Sequence, residues 1–126
     1  EAPVHDNIKQ QLIEATERDT ALIFRSMRNT ARVFKNQVSD EVRALEARGD
    51  TTIDDIKHLV AGERGKQALL KGDADAGIWS AGMVAGLIHD VPSCRDLVER
   101  IMREAEAIID GRLADTRTGV LPPGTT

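Results

Sequence analysis

Apolar residues recur along this chain at intervals of three and four, which is the spacing of one face of an α-helix. A first helix is predicted after Asp6, with Ile8 and Leu12 on one side. The run from Ala21 to Phe24 is the only candidate strand, and it is too short to be assigned. The pattern therefore predicts a mainly α-helical protein.

A second helix is predicted to begin at Asn29 or Thr30 and to end at Gly49, a residue typical of helix C-termini. Charged residues fill its other faces, so it is expected to be half exposed. Its apolar face consists of Ala31, Phe34, Val38, Val42 and Leu45.

Three further helices have local start or stop signals. Thr52 followed by Asp55 resembles a capping box, and Gly72 closes the segment that follows. Ser93, after Pro92, is predicted to cap the longest helix, whose broad apolar stripe runs from Leu97 to Leu113. Such a helix is expected to lie on a larger body with one face in water.

The run from Gly72 to Asp90 holds four glycines and the only tryptophan, Trp79. Ala81 to Ile88 is apolar on all sides and predicts a helix that is buried all round, with Ser80 as its N-cap. Two interpretations stay open at this point. The run is either a helix N-terminus that faces a ligand or a site of tight packing, and local physics favours packing.

Composition excludes several classes of protein. Aromatic residues form 2% of the chain and the net charge is −4, which argues against nucleic-acid binding. No apolar run approaches the roughly 20 residues that cross a bilayer, so no membrane partner is expected. The single cysteine, Cys94, rules out an internal disulfide and indicates a cytoplasmic location.

Spacing alone identifies no catalytic or metal site. The three histidines, His5, His58 and His89, lack ligand partners at helical spacing and are expected to be surface or cap residues. The basic cluster Arg25, Arg28, Arg32 and Lys35 is predicted to lie along one helical face. An anionic ligand could bind there, although a solvated or inter-subunit face is favoured.

Four segments resemble the nitronate monooxygenase family (2-nitropropane dioxygenases). They are Glu1–His5, Phe24–Val33, Leu59–Gly65 and the Gly72–Asp90 run. The resemblance extends to about Leu113. It implies the C-terminal part of an FMN-binding TIM (β/α)8 barrel with an added helical domain, whose barrel core lies mostly upstream. Residues 4–71 would be the helical domain, 72–113 the segment that closes the barrel, and 114–126 a disordered tail.

The resemblance also implies the chemistry. The family oxidises alkyl nitronates with FMN. At Met83 many members have Gln, and Met in this position resembles a branch of the family that behaves as NADH:quinone reductases. The implied partners are FMN, a nitronate or quinone as substrate, NADH in the quinone reductase alternative, and the missing barrel portion. This chain alone is expected to be inactive. The rival hypothesis is a non-catalytic, free-standing helical binding module.

The resemblance places the catalytic histidine and the phosphate site upstream, so no catalytic residue and no metal ligand is expected in this chain. Ser80 is implied to face flavin and substrate, where its hydroxyl can donate a hydrogen bond. Trp79, Gly82 and Met83 would be wall residues beside it.

Overall fold

The computed structural model describes residues 1–114 and Thr116, and these divide into two compact units. One comprises Ala2–Val91; the other comprises Glu1 with the segment from Pro92 onward. The first unit contains, in chain order, α1 (Asp6–Glu14), β1 (Thr20–Ile23), β2 (Ala31–Phe34), α2 (Gln37–Glu46), α3 (Ile53–Val60), α4 (Gly62–Lys71) and a 3-10 helix (Met83–Leu87). The second contains α5 (Cys94–Ile108) and a π-helical turn (Ile109–Leu113). The described chain is mostly helical, as predicted.

A short antiparallel hairpin corrects the prediction of a long second helix. β1 pairs with β2 so that Ala21 lies opposite Val33 and Leu22 opposite Arg32. The helical part begins only at Gln37, after an Asn36 cap. Ala31 and Phe34 fit a helical spacing in the sequence, but the non-local pairing with β1 decides their conformation.

The same correction applies to the basic cluster, which is not on one helical face. Arg25 and Arg28 lie in the hairpin loop, Arg32 lies in β2, and Lys35 follows β2. Arg28 has a positive φ of 54°, and Phe24 one of 61°, at the two ends of the turn.

The first of two cores forms where one face of the hairpin packs on α2 and α3. Alternation along the strands points Ala21, Ile23 and Val33 to this side. The helices contribute the remaining buried residues, which are Val38, Val42, Ile56 and Leu59. These apolar contacts hold α2 and α3 on the hairpin.

The second core joins α1 and α4 to the loop that follows α4. Ile8 of α1 and Ala68 of α4 are buried, as is Trp79. Ala74 and Ala81 complete the buried set of this cluster. The segment after α4 is therefore anchored on apolar residues of α1 and α4.

Local capping signals are confirmed at three sites. The Thr52 and Asp55 capping box begins α3, and the hydrogen bonds that Thr52 donates hold the pKa of the Asp55 carboxyl below its ordinary value. Gly72 ends α4 with a φ of +79°, and Ser93 caps α5 by accepting from the Asp96 N–H. At α1 the prediction that Asp6 caps the helix was wrong, because Asp6 is its first helical residue. His5 is the N-cap, since its Nδ1 accepts from the N–H of Asn7.

The prediction of a buried helix from Ala81 to Ile88 was also wrong. The segment forms a single 3-10 helix from Met83 to Leu87, with Gly82 rather than Ser80 at its N-cap position. Within the described residues only Ala85 of this helix is buried, and Leu87 is 77% exposed. The other large apolar side chains of this helix, Met83 and Val84, are also more than half exposed, so an apolar sequence here does not produce a buried helix.

α5 has the predicted apolar stripe, but none of its residues is buried. Leu97, Ile101 and Met102 are 40%, 55% and 56% exposed.

No helix among the described residues has both the length and the apolar character needed to cross a membrane. Ala114 and Thr116 are helical. The rest of the predicted 114–126 tail lies outside the described residues, and the boundary at residue 71 stays a prediction.

Two glycines of α4 provide a matched test of this packing. A Cβ on Gly65 would overlap the backbone carbonyl of Ile78, whereas a Cβ on Gly62 would meet nothing within 4 Å. We expect Gly65→Ala to lower the free energy of unfolding by about 2–3 kcal/mol because backbone must move. Gly62→Ala should cause no loss and gain at most ~1 kcal/mol of helix propensity.

Urea unfolding followed by circular dichroism measures both variants. Equal stability of the two would show that α4 does not pack closely on residue 78.

Candidate functional site

The segment Trp79–Ser80 runs beside β2 like a short third strand. The N–H of Phe34 donates to the Trp79 carbonyl at 3.0 Å, and Ser80 forms an isolated antiparallel bridge with Val33. The position of Ser80 is therefore fixed by the hairpin and not by a helix that starts at this residue.

Asn36 holds the loop that leads into this segment. Its side-chain amide is buried and donates to the carbonyls of Ala74 and Gly77, at 2.7 and 2.8 Å. Its carbonyl oxygen accepts from the N–H of Ser39, which completes the α2 cap. One side chain thus links the end of β2, the start of α2 and the loop after α4.

Two more contacts tie the same loop to its surroundings. Asp75 accepts from the Gln37 N–H at 2.9 Å, and the Arg64 Nε donates to the Ala76 carbonyl at 2.9 Å. The loop 73–78 is consequently bonded to α2 on one side and to α4 on the other.

Trp79 is 5% exposed and lies in the second core. Its ring stacks on Phe34 with centroids 4.3 Å apart and planes 13° from parallel. The indole N–H donates to the Ala74 carbonyl at 3.1 Å. Trp79 is thus mainly a packing residue, and only a small part of its surface is available to a ligand.

An open groove of about 550 Å³ runs past Ser80, and we call it the Ser80 groove. Its surface is mainly apolar. The residues that line it are Pro3, Val4, Gly62, Gly65, Lys66, Leu69, Leu70, Ile78, Trp79 and Ser80. Lys66 is the charged group among these described residues, and an ammonium in an apolar groove suits an anionic or carbonyl-bearing ligand.

Ser80 is exposed, and its hydroxyl has no hydrogen-bond partner within the described part of the chain. It is thus available to donate to a ligand in the groove. Gly82 and Met83 do not line the groove; both are exposed beyond it, Met83 to 55%. The structure brings Ser80 and Trp79 together and leaves the other two predicted wall residues outside.

Sequence reasoning missed Asn36, Phe34 and Lys66. The signal for Asn36 was present, because Asn followed three residues later by Ser can form a reciprocal cap. The prediction of a helix through Phe34 concealed it. Lys66 had no signal, since only the fold brings α4 to the Ser80 groove.

The histidines and acidic residues form no group of three that could hold a metal ion within the described residues. Cys94 is exposed at the first position of α5. The Glu1 carboxylate accepts a hydrogen bond from it, which raises the pKa of the Cys94 thiol and disfavours a reactive thiolate.

Comparison with known proteins decides the family. The sequence model of nitronate monooxygenase matches residues 1–104. The chain belongs to the nitronate monooxygenase family. This family membership confirms the resemblance noted in the sequence.

Two curated relatives match shorter stretches. Both are named (3aS,4S,5R,7aS)-5-hydroxy-7a-methyl-1-oxo-octahydro-1H-indene-4-carboxyl-CoA dehydrogenase. The protein from Mycobacterium tuberculosis is 42% identical over 40 residues, which is 32% of this chain and 11% of that protein. The one from Rhodococcus jostii is 40% identical over 45 residues, which is 36% of this chain and 13% of that protein.

Solved structures show the fold. FabK from Thermotoga maritima superposes with a TM-score of 0.76 and 22% identity, over 88% of this chain and 34% of that chain. A mutant of the same FabK superposes with a TM-score of 0.68 and 21% identity, over 88% of this chain and 32% of that chain. The matched parts of this member of the nitronate monooxygenase family thus cover about a third of FabK and about a tenth of the curated relatives.

The buried Asn36 amide allows a direct test of the loop anchor. Asn36→Asp keeps the oxygen that caps α2 but removes both donors and turns a carboxylate oxygen toward two carbonyls. We expect a loss of about 2–4 kcal/mol in the free energy of unfolding. Because Trp79 is the only tryptophan, its fluorescence reports on this region during urea unfolding.

Asn29→Asp introduces the same charge at an exposed loop position and serves as the control, with an expected change within about 0.5 kcal/mol. Similar losses in both variants would show that charge, and not the loss of the two donors, causes the effect.

Proposed function

We propose that this chain is the C-terminal part of an FMN-dependent oxidoreductase and that it forms one wall of its flavin and substrate pocket. The observation that carries the proposal is the family match over residues 1–104. The remaining portion would be an upstream TIM barrel, as the FabK-like fold of this chain supports.

The exposed apolar surfaces support a missing portion. Val98 and Ile101 of α5 are more than half exposed, as are Val84 and Leu87 of the 3-10 helix. Isolated water-soluble proteins seldom expose so many large apolar side chains on consecutive elements. A barrel that belongs to the same protein would cover them.

The Ser80 groove fits part of a flavin site. Its apolar walls and free hydroxyl suit a flat ring or a small substrate, whereas the described residues include no glycine-rich phosphate cradle after a strand. Bound FMN would provide a ring that accepts hydride or electrons from the substrate. The phosphate contacts that hold it would come from the barrel.

Ser80 and Lys66 would bind the substrate oxygen. A nitronate carries its negative charge largely on oxygen, and a quinone presents carbonyl oxygens. The Ser80 hydroxyl donates to such an oxygen, while the Lys66 ammonium stabilises negative charge within a mainly apolar surface. The bridge to Val33 holds Ser80 in place, so that orientation is set before the substrate binds.

A second reaction, transfer of hydride from NADH to a quinone, is favoured by Met83. Many members of the family carry Gln at this position, and Met in its place resembles the NADH:quinone reductase branch. Met83 does not line the Ser80 groove in this chain, so its influence would require contact with the barrel portion. NADH oxidation with a quinone, compared with oxygen uptake on propyl nitronate, separates the two reactions.

A flavin-binding measurement tests the assignment of the missing half-site. We expect the 126-residue chain to leave the fluorescence of added FMN unchanged, because the phosphate anchor is absent. The longer protein that includes the barrel should purify with a flavin absorption band. A longer protein that binds no flavin, while the short chain is a monodisperse monomer, would support the free-standing module instead.

The role of Ser80 is tested in the longer protein. Ser80→Ala should lower kcat/KM about tenfold, the effect of one lost hydrogen bond of ~1.4 kcal/mol, with flavin content unchanged. Thr30→Ala removes another exposed hydroxyl in the hairpin loop and should leave kcat/KM unaltered. Equal activity of the Ser80 variant and the parent protein would remove Ser80 from the substrate site.

A further inference from the structure

A second groove, of about 820 Å³, follows the outer edge of β1, and we call it the β1 groove. Five cationic side chains line it: Arg18, Arg25, Arg32, Lys35 and Arg43. The whole chain has a net charge of −4, so this concentration of positive charge is local. Like charges held close together repel one another, and an anionic partner removes that cost.

Several of these cations are free to bind a partner. Arg25 and Lys35 form no ion pair within the described residues. Arg32 donates to the hydroxyl of Thr20 at 2.8 Å, which leaves its charge uncompensated. Arg25 and Arg32 therefore lack an anionic partner in the described part of the chain, and Lys35 has only an electrostatic interaction with the Asp19 carboxylate, without an ion pair.

The other two cations have weak partners. Arg43 lies 3.2 Å from Asp40 on α2, and Arg18 lies 3.9 Å from Glu17, with all four side chains at least half exposed. Exposed pairs of this kind contribute about 0–1 kcal/mol. A better-placed anion would compete with them easily.

Glu46 is the one acidic residue among the described lining residues, and its carboxylate is already engaged. It accepts from the N–H of Phe24 at 2.9 Å and from the N–H and hydroxyl of Ser26 at 3.1 and 2.8 Å. One end of the groove thus already binds a carboxylate through backbone N–H groups at the end of β1.

The rest of the β1 edge is open. The Lys35 N–H donates to the Asp19 carbonyl at 2.9 Å, and the Phe34 N–H points away to Trp79. Alternation along an antiparallel pair then directs the N–H and C=O groups of Thr20 and Leu22 outward from β2. Within the described residues these groups have no backbone hydrogen-bond partner.

We propose that the β1 groove binds an acidic, extended peptide segment, which adds to β1 as a further antiparallel or parallel strand. Strand addition satisfies the outward N–H and C=O groups of Thr20 and Leu22, and acidic side chains pair with the surrounding cations. This proposal is independent of the flavin assignment, since it concerns a different groove.

The geometry favours a peptide over a compact polyanion such as a polyphosphate. The cations are spread along the strand, from Arg18 before β1 to Arg25 after it, instead of converging on one point. The outward carbonyls of Thr20 and Leu22 would repel a phosphate oxygen, whereas they accept hydrogen bonds from a peptide backbone.

Fluorescence anisotropy with a labelled hexapeptide of alternating Glu and Val tests the proposal on the full 126-residue chain. We expect saturable binding that weakens as salt is added. The same peptide with alternate backbone nitrogens methylated keeps its charge but loses hydrogen-bond donors, and it should bind at least about tenfold more weakly. A Lys–Val peptide should not bind.

Two variants locate the binding site. Arg25→Ala with Lys35→Ala should weaken peptide binding at least about fivefold. The matched control, Arg95→Ala with Arg103→Ala, removes two exposed positive charges of α5 and should leave binding unchanged. Leu22→Pro removes one outward N–H while sparing the ladder to β2, and it should abolish binding if circular dichroism shows an unchanged fold.

Equal binding of the methylated and unmethylated peptides would overturn strand addition. Displacement of the peptide by inorganic tripolyphosphate that itself binds more tightly would instead identify a compact anion site. Absence of binding at low salt, or equal weakening by both pairs of substitutions, would refute the β1 groove as an interaction surface.

Discussion

The side-chain amide of Asn36 is the constraint on which the arrangement of the first unit depends. It lies at the junction of β2 and α2, and its two donors are directed at the carbonyls of Ala74 and Gly77. An unpaired buried carbonyl is costly, so the loop after α4 is fixed where these donors are. Trp79 then reaches Phe34, and Ser80 is brought beside Val33.

Each strand of the hairpin has one edge that does not pair with the other strand. The outer edge of β2 pairs with Trp79–Ser80, two residues that also line the Ser80 groove. The outer edge of β1 has no such pairing within the described residues and is flanked by cations. An apolar groove with one hydroxyl and a basic groove with an open strand edge suit different ligands, so one small fold provides two distinct surfaces.

Prediction from the sequence succeeded where the signal is local. The caps at Thr52, Gly72 and Ser93 act on N–H or C=O groups within a few residues, so the local sequence is sufficient. It failed for Ala31–Phe34 and for the 81–88 segment. Both segments have an apolar spacing that is compatible with a helix. In Ala31–Phe34, pairing with β1 decides the conformation instead. In the 81–88 segment, no element among the described residues covers the apolar side chains.

The sequence by itself determined the helical class, three helix caps and, through four motifs in order, the nitronate monooxygenase family, whose sequence model matches residues 1–104. Only the tertiary structure decided which residues share a surface. Lys66 and Ser80 line one groove, and Arg18 and Arg43 line the other, although the members of each pair come from different elements of the fold. Such proximity depends on packing and on the register of strands, and neither leaves a periodic signal in the sequence.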